Sequence, residues 1–253
     1  KPSTDLADRV AASFAPRLQH GRRVCVGLSG GRDSVALLHL LAAIRARTPS
    51  LELSALHVHH GLSAQADQWA EFCQALCHSL DIPFQLARVA VSGIAEEGLE
   101  AAARRARYAA FAECDADWLA LAHHRDDQAE TLMLNLLRGS GVPGLAAMPE
   151  ERALADGSIR LVRPLLTMAR RDIEHWLNER RLTWIEDESN ADIRLRRNYL
   201  RSEILPLLAQ HFPEPAVSLA RTATHLAEHA ALAEEVAVVD AAGLVDGQSI
   251  QLA

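Results

Sequence analysis

Along the first half of the chain, the apolar positions alternate between two spacings. Residues 24–28 form a short apolar run, the length of a buried strand, and Val35, Leu37, Leu38, Leu41 and Ile44 then recur at helical intervals. The alternation repeats downstream. Residues 51–58 read as a second strand, 67–80 as a helix, 84–89 as a third strand, 97–113 as a helix and 117–121 as a fourth strand. Strands separated by single helices predict βαβ units, and so a Rossmann-like α/β fold: a parallel sheet with helices on both faces. An amphipathic segment over 3–20, with Leu6, Val10, Phe14 and Leu18 on one side, predicts a short helix laid against this unit.

Beyond residue 138 the rhythm changes. Arg138-Gly139-Ser140-Gly141-Val142-Pro143-Gly144 breaks the helix expected over 130–137 and opens a flexible connection. Residues 150–158 read as an exposed loop, 160–166 as a last strand, 170–180 as a helix, and Thr183-Trp184-Ile185 as a short extended piece. Pro206 and Pro215 bracket a hinge, and 216–239 is a long Ala/Leu-rich helix with an acidic exposed face. Ile250-Gln251-Leu252-Ala253 is strand-like without a partner hairpin, as though the chain stopped short. The expected organisation is a main α/β domain over 1–206, with a linker region from about 140, and the cut-short start of a smaller helical domain over 207–253.

In a parallel sheet, ligands bind beyond the carboxyl ends of the strands. Three polar groups fall there: Ser29-Gly30-Gly31-Arg32-Asp33-Ser34, His57-Val58-His59-His60-Gly61, and His123-His124-Arg125-Asp126-Asp127. The first passes from strand through glycine turn to helix, which aims backbone N–H groups at an anion. Two glycines let a phosphate approach the backbone, Ser29 and Ser34 add hydroxyl donors, and Asp33 at the helix mouth suits a magnesium ion against phosphates. It is not a Walker A loop, because Arg32 stands where that loop needs lysine. The glycine spacing also fails the dinucleotide fingerprint. An ordinary strand-to-helix turn is the plainer alternative, but it does not require the glycine pair, both serines and the aspartate together.

The other groups keep two readings each. Neighbouring histidines on a strand end point alternately, so a shared metal is disfavoured against lining a nucleotide pocket or plain surface. Asp127 and Glu130, at i, i+3 spacing, share one face of a helix's first turn; helix capping by Asp126 or Asp127 and dipole complementation explain them, and acid–base chemistry is the sharper reading. Glu100, Arg104 and Arg107 form either a salt-bridged face or an arginine set that meets phosphate. Arg194, Arg196, Arg197 and Arg201, flanking Asn198, are the densest basic patch and suit contact with an RNA backbone.

Composition narrows the setting. No apolar run approaches the ~18 residues of a membrane helix, which argues against a membrane partner. The polar start lacks a signal peptide's apolar core, which favours the cytoplasm. Cys25, Cys73, Cys77 and Cys114 read as reduced and structural in a chain of 253 residues. The net charge of −7 comes almost wholly from residues 202–253, where seven acidic residues face Arg221 alone. The rest is nearly neutral, and Lys1 is the only lysine, so the basic groups are guanidiniums suited to gripping phosphate. A nucleic-acid partner is permitted, not required.

Ser29-Gly30-Gly31-Arg32-Asp33-Ser34 matches the Ser-Gly-Gly-x-Asp-Ser signature of the PP-loop ATP pyrophosphatases. With His57-Val58-His59-His60-Gly61-Leu62, Arg104-x-x-Arg107-Tyr108, the run from His123 through Glu130-Thr131 to Gly141, Arg163-Pro164-Leu165-Leu166 and Asp187-Glu188-Ser189-Asn190…Arg197-Asn198…Arg201, the chain resembles the tRNA(Ile)-lysidine synthetase family across most of residues 22–206. Ser63 departs from that pattern, where the family usually has arginine.

The resemblance implies an adenine nucleotide α hydrolase-like fold. It further implies ATP with Mg2+, an isoleucine tRNA with a CAU anticodon, and free L-lysine as cofactors and partners. The implied reaction modifies C2 of the wobble cytidine through an adenylated intermediate. Leu28, Ser29, Gly30, Gly31, Arg32, Asp33, Ser34, His57 and His123 would bind the nucleotide, with Asp33 holding the metal. Arg104 or Arg107 would lie near the transferring phosphate, and Asp127 and Glu130 would orient or deprotonate the lysine amine. The alternatives are a PP-loop tRNA 2-thiolating enzyme, which resembles a form needing paired cysteines, and a non-catalytic nucleotide-binding module. The oligomeric state stays open, a homodimer being one option.

Overall fold

The computed structural model describes residues 6–154, 157–241, 245–246 and 249–250. These fall into two compact units. One holds the described residues of Lys1–His124 and Glu150–Asn190, the other those of Arg125–Pro149 and Ala191–Ala253. The division places the Asp127/Glu130 helix with the C-terminal segment, whereas the sequence suggested a boundary near 206.

The first unit is built on a six-stranded sheet in the order β3 (Phe84–Arg88), β2 (Glu52–His59), β1 (Arg23–Gly27), β4 (Trp118–Ala120), β6 (Ile159–Val162), β5 (Glu151–Leu154). All neighbours pair in parallel except β5, which runs antiparallel to β6 at the edge. Alternation along each strand sends side chains to two separate cores. Val24, Val26, Leu53, Ala55, Trp118, Ala120 and Val162 enter one core. Cys25, Leu56, Leu119, Leu121, Ile159 and Leu161 enter the other. Strands buried on both faces explain the near-continuous apolar runs in the sequence.

The first core lies under α1 (Leu6–Phe14), α2 (Arg32–Arg47), α3 (Ala66–Ser79) and α8 (Arg170–Glu179); α5 (Leu99–Ala112), preceded by the single turn α4 (Ile94–Glu97), covers the second. The helix in this central position, α2, is buried almost all round, through Val35, Ala36, Leu37, Leu38, Leu40, Leu41 and Ile44. The strand order reverses direction between β1 and β4, so the crevice of this sheet opens where the glycine turn and His123-His124 emerge.

In the second unit, α6 (Arg125–Leu137) packs against α11 (Pro215–Ala241) and against α7 (Val142–Leu145). A further helical run passes from α9 (Arg196–Tyr199) through a π-helical turn over Leu200–Ile204 into α10 (Leu205–Ala209).

Three expectations change. Residues 151–154 are strand β5, not loop: Arg152 pairs with Leu161 and Leu154 with Ile159, and Leu154 is buried in the second core. The 138–149 connection is pinned, because Gln128 bonds both the N–H and the carbonyl of Met148 (2.9 and 2.8 Å) and Asn135 donates to Gly144 O at 2.7 Å. Ser249–Ile250 (β8) does have a partner, pairing antiparallel with Val245–Asp246 (β7). Residues 3–5 of the expected first helix and 251–253 of the expected last strand lie outside the described residues. All four cysteines are free and buried, and no helix among the described residues is long and apolar enough to cross a membrane.

Leu38 is fully buried in the first core. Leu38→Ala is expected to lose about 2–5 kcal/mol of unfolding free energy. The same truncation at Leu137, which is 73% exposed, should change it by less than about 0.5 kcal/mol. Urea titration of both variants measures the difference.

Candidate functional site

The turn between β1 and α2 is held by its own hydroxyls. Ser34 Oγ donates to Gly31 O at 2.9 Å, so its one proton is committed, and it accepts from Ser29 N at 3.2 Å. The 3.0 Å Ser29–Ser34 hydroxyl pair must then have Ser29 as donor, while Ser29 Oγ accepts from Gly31 N at 3.2 Å. Both serines therefore shape the turn, where the sequence suggested outward donors. The first-turn N–H groups of α2 have no acceptor within the helix.

The two glycines are needed for different reasons. Gly30 sits at φ +84°, and a Cβ there would come within 2.6 Å of Ile185 Cδ1 and 3.1 Å of Cys73 Sγ. Ile185 N also donates to Gly30 O at 2.9 Å, which is the role of the extended piece around Trp184. Gly31 has an ordinary φ of −71°, and a Cβ there would meet only Ser29 Oγ, at 3.4 Å. Nothing in the protein requires glycine at that position, and open space beside a helix N-terminus is a cradle for a phosphate.

Asp33 lies in the first turn of α2. Burial pushes its carboxyl up, but His124 and Arg32 push it down further and hold it well below the usual carboxylate range. Arg32 Nε is 3.2 Å from Oδ1 and His124 Nε2 is 3.6 Å from Oδ2. Asp33 is thus ionised at any physiological pH. One ionised carboxylate beside a phosphate cradle fits magnesium, which takes one or two carboxylates plus phosphate oxygens and waters. Among the described residues no group of three or more His, Cys, Asp or Glu forms a protein-only metal cage. Of the adjacent histidines, it is the fully buried His124 that faces Asp33, while the partly exposed His123 precedes it on the same strand end.

His57 is buried and its Nδ1–H donates to Leu28 O at 2.8 Å, which fixes the tautomer and anchors the carbonyl entering the turn. Burial holds its pKa below the ordinary value, so the ring stays neutral. His59 instead pairs with Asp67 (3.2 Å), and His60 is kept neutral by burial and by the Arg107 guanidinium. The α5 arginines therefore separate: Arg107 acts on His60, whereas Arg104 lies 4.7 Å above the Tyr108 ring and donates to its hydroxyl at 3.2 Å.

In the second unit, Glu130 is wholly buried. Arg201 grips it bidentately, Nε to Oε1 at 2.6 Å and a terminal nitrogen to Oε2 at 2.9 Å, and the same nitrogen reaches Asp127 Oδ1 at 3.3 Å. Arg197 Nε stands 3.5 Å from Glu130 and donates from its other end to Thr131 at 2.7 Å. Burial raises the Glu130 pKa and wins over Arg201, with Asp127 adding to the rise and Arg197 opposing it. Two members of the expected RNA-facing patch are thus turned onto the acids, and Arg194 is paired with Asp192 at 2.8 Å. Matching i, i+3 acids and i, i+4 arginines was the available signal. Asp126 and Asp127 lie inside the first turn of α6, not at its cap.

A family model described as PP-loop domain matches residues 2–208. A tRNA(Ile)-lysidine synthase from Chromobacterium violaceum is 53% identical over 215 residues, covering 85% of this chain and 49% of the relative. One from Pseudomonas aeruginosa is 50% identical over 244 residues, covering 94% and 53%. The chain therefore spans about half the length of the curated relatives it matches. Among solved structures, the U34-tRNA thiolase NcsA of Methanococcus maripaludis with its 4Fe–4S cluster superposes with a TM-score of 0.74 at 19% identity, over 88% of this chain and 78% of that one, a likeness of fold.

Two experiments separate the forces in these sites. Gly30→Ala should cost about 1–3 kcal/mol of stability through backbone strain and the Ile185 contact. Gly31→Ala should cost about 1 kcal/mol or less, yet weaken ATP at least ~10-fold, as thermal melts and calorimetric titration would register. For Arg201→Met, removing one partner of a buried pair should cost about 3–5 kcal/mol near neutral pH. Glu130 has a folded pKa above its unfolded value, so its contribution is full below the unfolded pKa and is lost as pH rises through the folded one. Removing Arg201 raises that pKa further, so the loss should be larger at pH 8 than at pH 5 in paired denaturation curves.

Proposed function

The chain belongs to the PP-loop domain family, and from that premise we propose that it joins L-lysine to C2 of the wobble cytidine of an isoleucine tRNA with a CAU anticodon, at the expense of ATP. The observation that carries the reading is the glycine turn whose second glycine leaves open space at the α2 N-terminus, beside an ionised aspartate. The names of relatives at about half identity support the substrate.

In this reading, the cytidine C2 oxygen attacks the α-phosphorus of ATP, forming an O–P bond and breaking the bond to the β-phosphate oxygen. Charge developing on the departing pyrophosphate meets N–H donors already fixed by the serine node, which need no rearrangement as the charge grows. Asp33 would hold magnesium, which supplies positive charge against the phosphates when bound. His57 keeps the Leu28 carbonyl, and with it the strand-to-turn junction, in place. Adenylation makes the C2 oxygen a leaving group; the lysine ε-amine then forms the C2–N bond and AMP departs.

The acids of α6 divide the remaining work. Glu130, closed off and doubly bonded by Arg201, is a positioning residue. Asp127, the less buried of the two and reached by the same arginine at 3.3 Å, is the group assigned to the lysine ammonium and its proton.

The test supplies isoleucine tRNA transcript, ATP and labelled lysine, and counts label in the RNA. Asp127→Asn should lower incorporation about 10²-fold or more with a raised KM for lysine, while Glu130→Gln should lower kcat more than KM. ATP affinity should be unchanged in both. Lysine incorporation at the parental rate by both variants would remove these roles, and label arriving only from a sulfur donor would replace the reaction with thiolation.

A further inference from the structure

A pocket lined by arginines lies in the first unit, on the face of the sheet covered by α5. It has a volume of about 290 Å³ and is lined by Ala101, Arg104, Arg105, Tyr108 and Arg152. Among the described residues, no lining residue is a carboxylate. Strand alternation explains why Arg152 is there: on β5, Arg152 and Leu154 share one face, and Leu154 is buried in the core beneath α5. Glu151, on the opposite face, is occupied by Arg17 at 3.1 Å and by Arg160.

The pocket is organised around the phenol. The Arg104 and Arg152 guanidiniums lie 4.7 and 5.1 Å from the Tyr108 ring centroid, and Phe111 meets the ring edge-on at 5.8 Å. With two guanidiniums and Phe111 against it, the ring has little surface left to stack a base. Arg105, on the exposed side of α5, is steadied by a 2.6 Å bond to the Ser92 carbonyl. Arg163, buried at the carboxyl end of β6, adds its charge to the same phenol. The Arg104 and Arg152 guanidiniums thus stand against one phenol, and bringing like charges together in this way is unfavourable unless an anion compensates them.

We propose that this pocket grips a backbone phosphate of the RNA substrate, separately from the phosphate cradle of the glycine turn. Phosphate fits better than a base because the donors are forked guanidiniums and the aromatic surface is already covered. Arg104 then belongs to RNA positioning, which leaves Arg107, beside His60, as the α5 arginine for the transferring phosphate. This inference rests on the reading of the substrate given above.

Binding of the isoleucine tRNA transcript to the chain is measured by fluorescence anisotropy between ~50 and ~200 mM salt, with ATP titrated in parallel. Arg152→Gln and Arg105→Gln should each reduce the slope of log affinity against log salt by about one, weaken tRNA several-fold and leave ATP affinity unchanged. Parental slope and affinity in Arg105→Gln, whose exposed position makes misfolding no escape, would overturn the pocket alone. Loss of ATP rather than tRNA binding in either variant would also overturn it, by making the pocket a nucleotide site. A parent chain that binds no tRNA would overturn both the pocket and the substrate reading.

Discussion

The first unit depends on a backbone that must pass from strand to helix within four residues while leaving the helix's first N–H groups uncovered. Such a turn is expensive to hold, because the N–H groups it leaves uncovered are those whose bonding would otherwise stabilise it. The chain resolves this by clamping the turn from behind. Leu28 N donates to Leu56 O and His57 to Leu28 O; Ile185 bonds Gly30, and Ser29 and Ser34 close the interior. Contacts from β2 and the stretch after α8 converge on one side, so the other is open by construction. The sheet, the buried α2 and the edge piece at Ile185 are best understood as the support this geometry needs.

The second unit solves a different problem, a carboxylate removed from water. A lone buried glutamate would take up a proton; Arg201 and Arg197 oppose that tendency without fully reversing it. The π-helical turn over Leu200–Ile204 contributes here, since an extra residue in a turn re-aims the side chains it carries, Arg201 among them. The pair is weak evidence for stability and stronger evidence for geometry: a bidentate bond fixes the arginine's plane, and the arginine in turn meets Asp127.

The sheet, its parallel pairing and the helices α2, α3, α5 and α8 were legible in the sequence, because strands buried on both faces leave an unmistakable alternation of apolar runs and helical periods. β5 was not. Glu151-Arg152-Ala153-Leu154 is polar because it is an edge strand, and its pairing with β6 is a tertiary fact. The glycine turn was legible because its geometry is local, packed into six adjacent residues. The partners of that turn were harder: Ile185 and Cys73 touch Gly30 from sites 155 and 43 positions away, and no periodicity announces them. The 194–201 arginines show the same limit. Charge density suggested RNA, whereas two of the guanidiniums are turned inward by acids more than sixty residues earlier.

That contrast bears on the net charge of −7, which at first argues against a nucleic-acid partner. Net charge counts every group equally, but a phosphate responds to what stands within a Debye length of it, about 8 Å at physiological salt. The acids of residues 202–253 stand mostly on the exposed face of one long helix, and Glu130 is sealed against its arginines. The guanidiniums around Tyr108 form a pocket with no acid in its lining among the described residues. Arg104 and Arg152 there lie against an aromatic ring, a contact that neutralises no charge. A chain that is acidic overall can therefore present a locally cationic surface, and the identity of each arginine's neighbour, more than the arginine count, decides whether it is a structural strut or a hand for RNA.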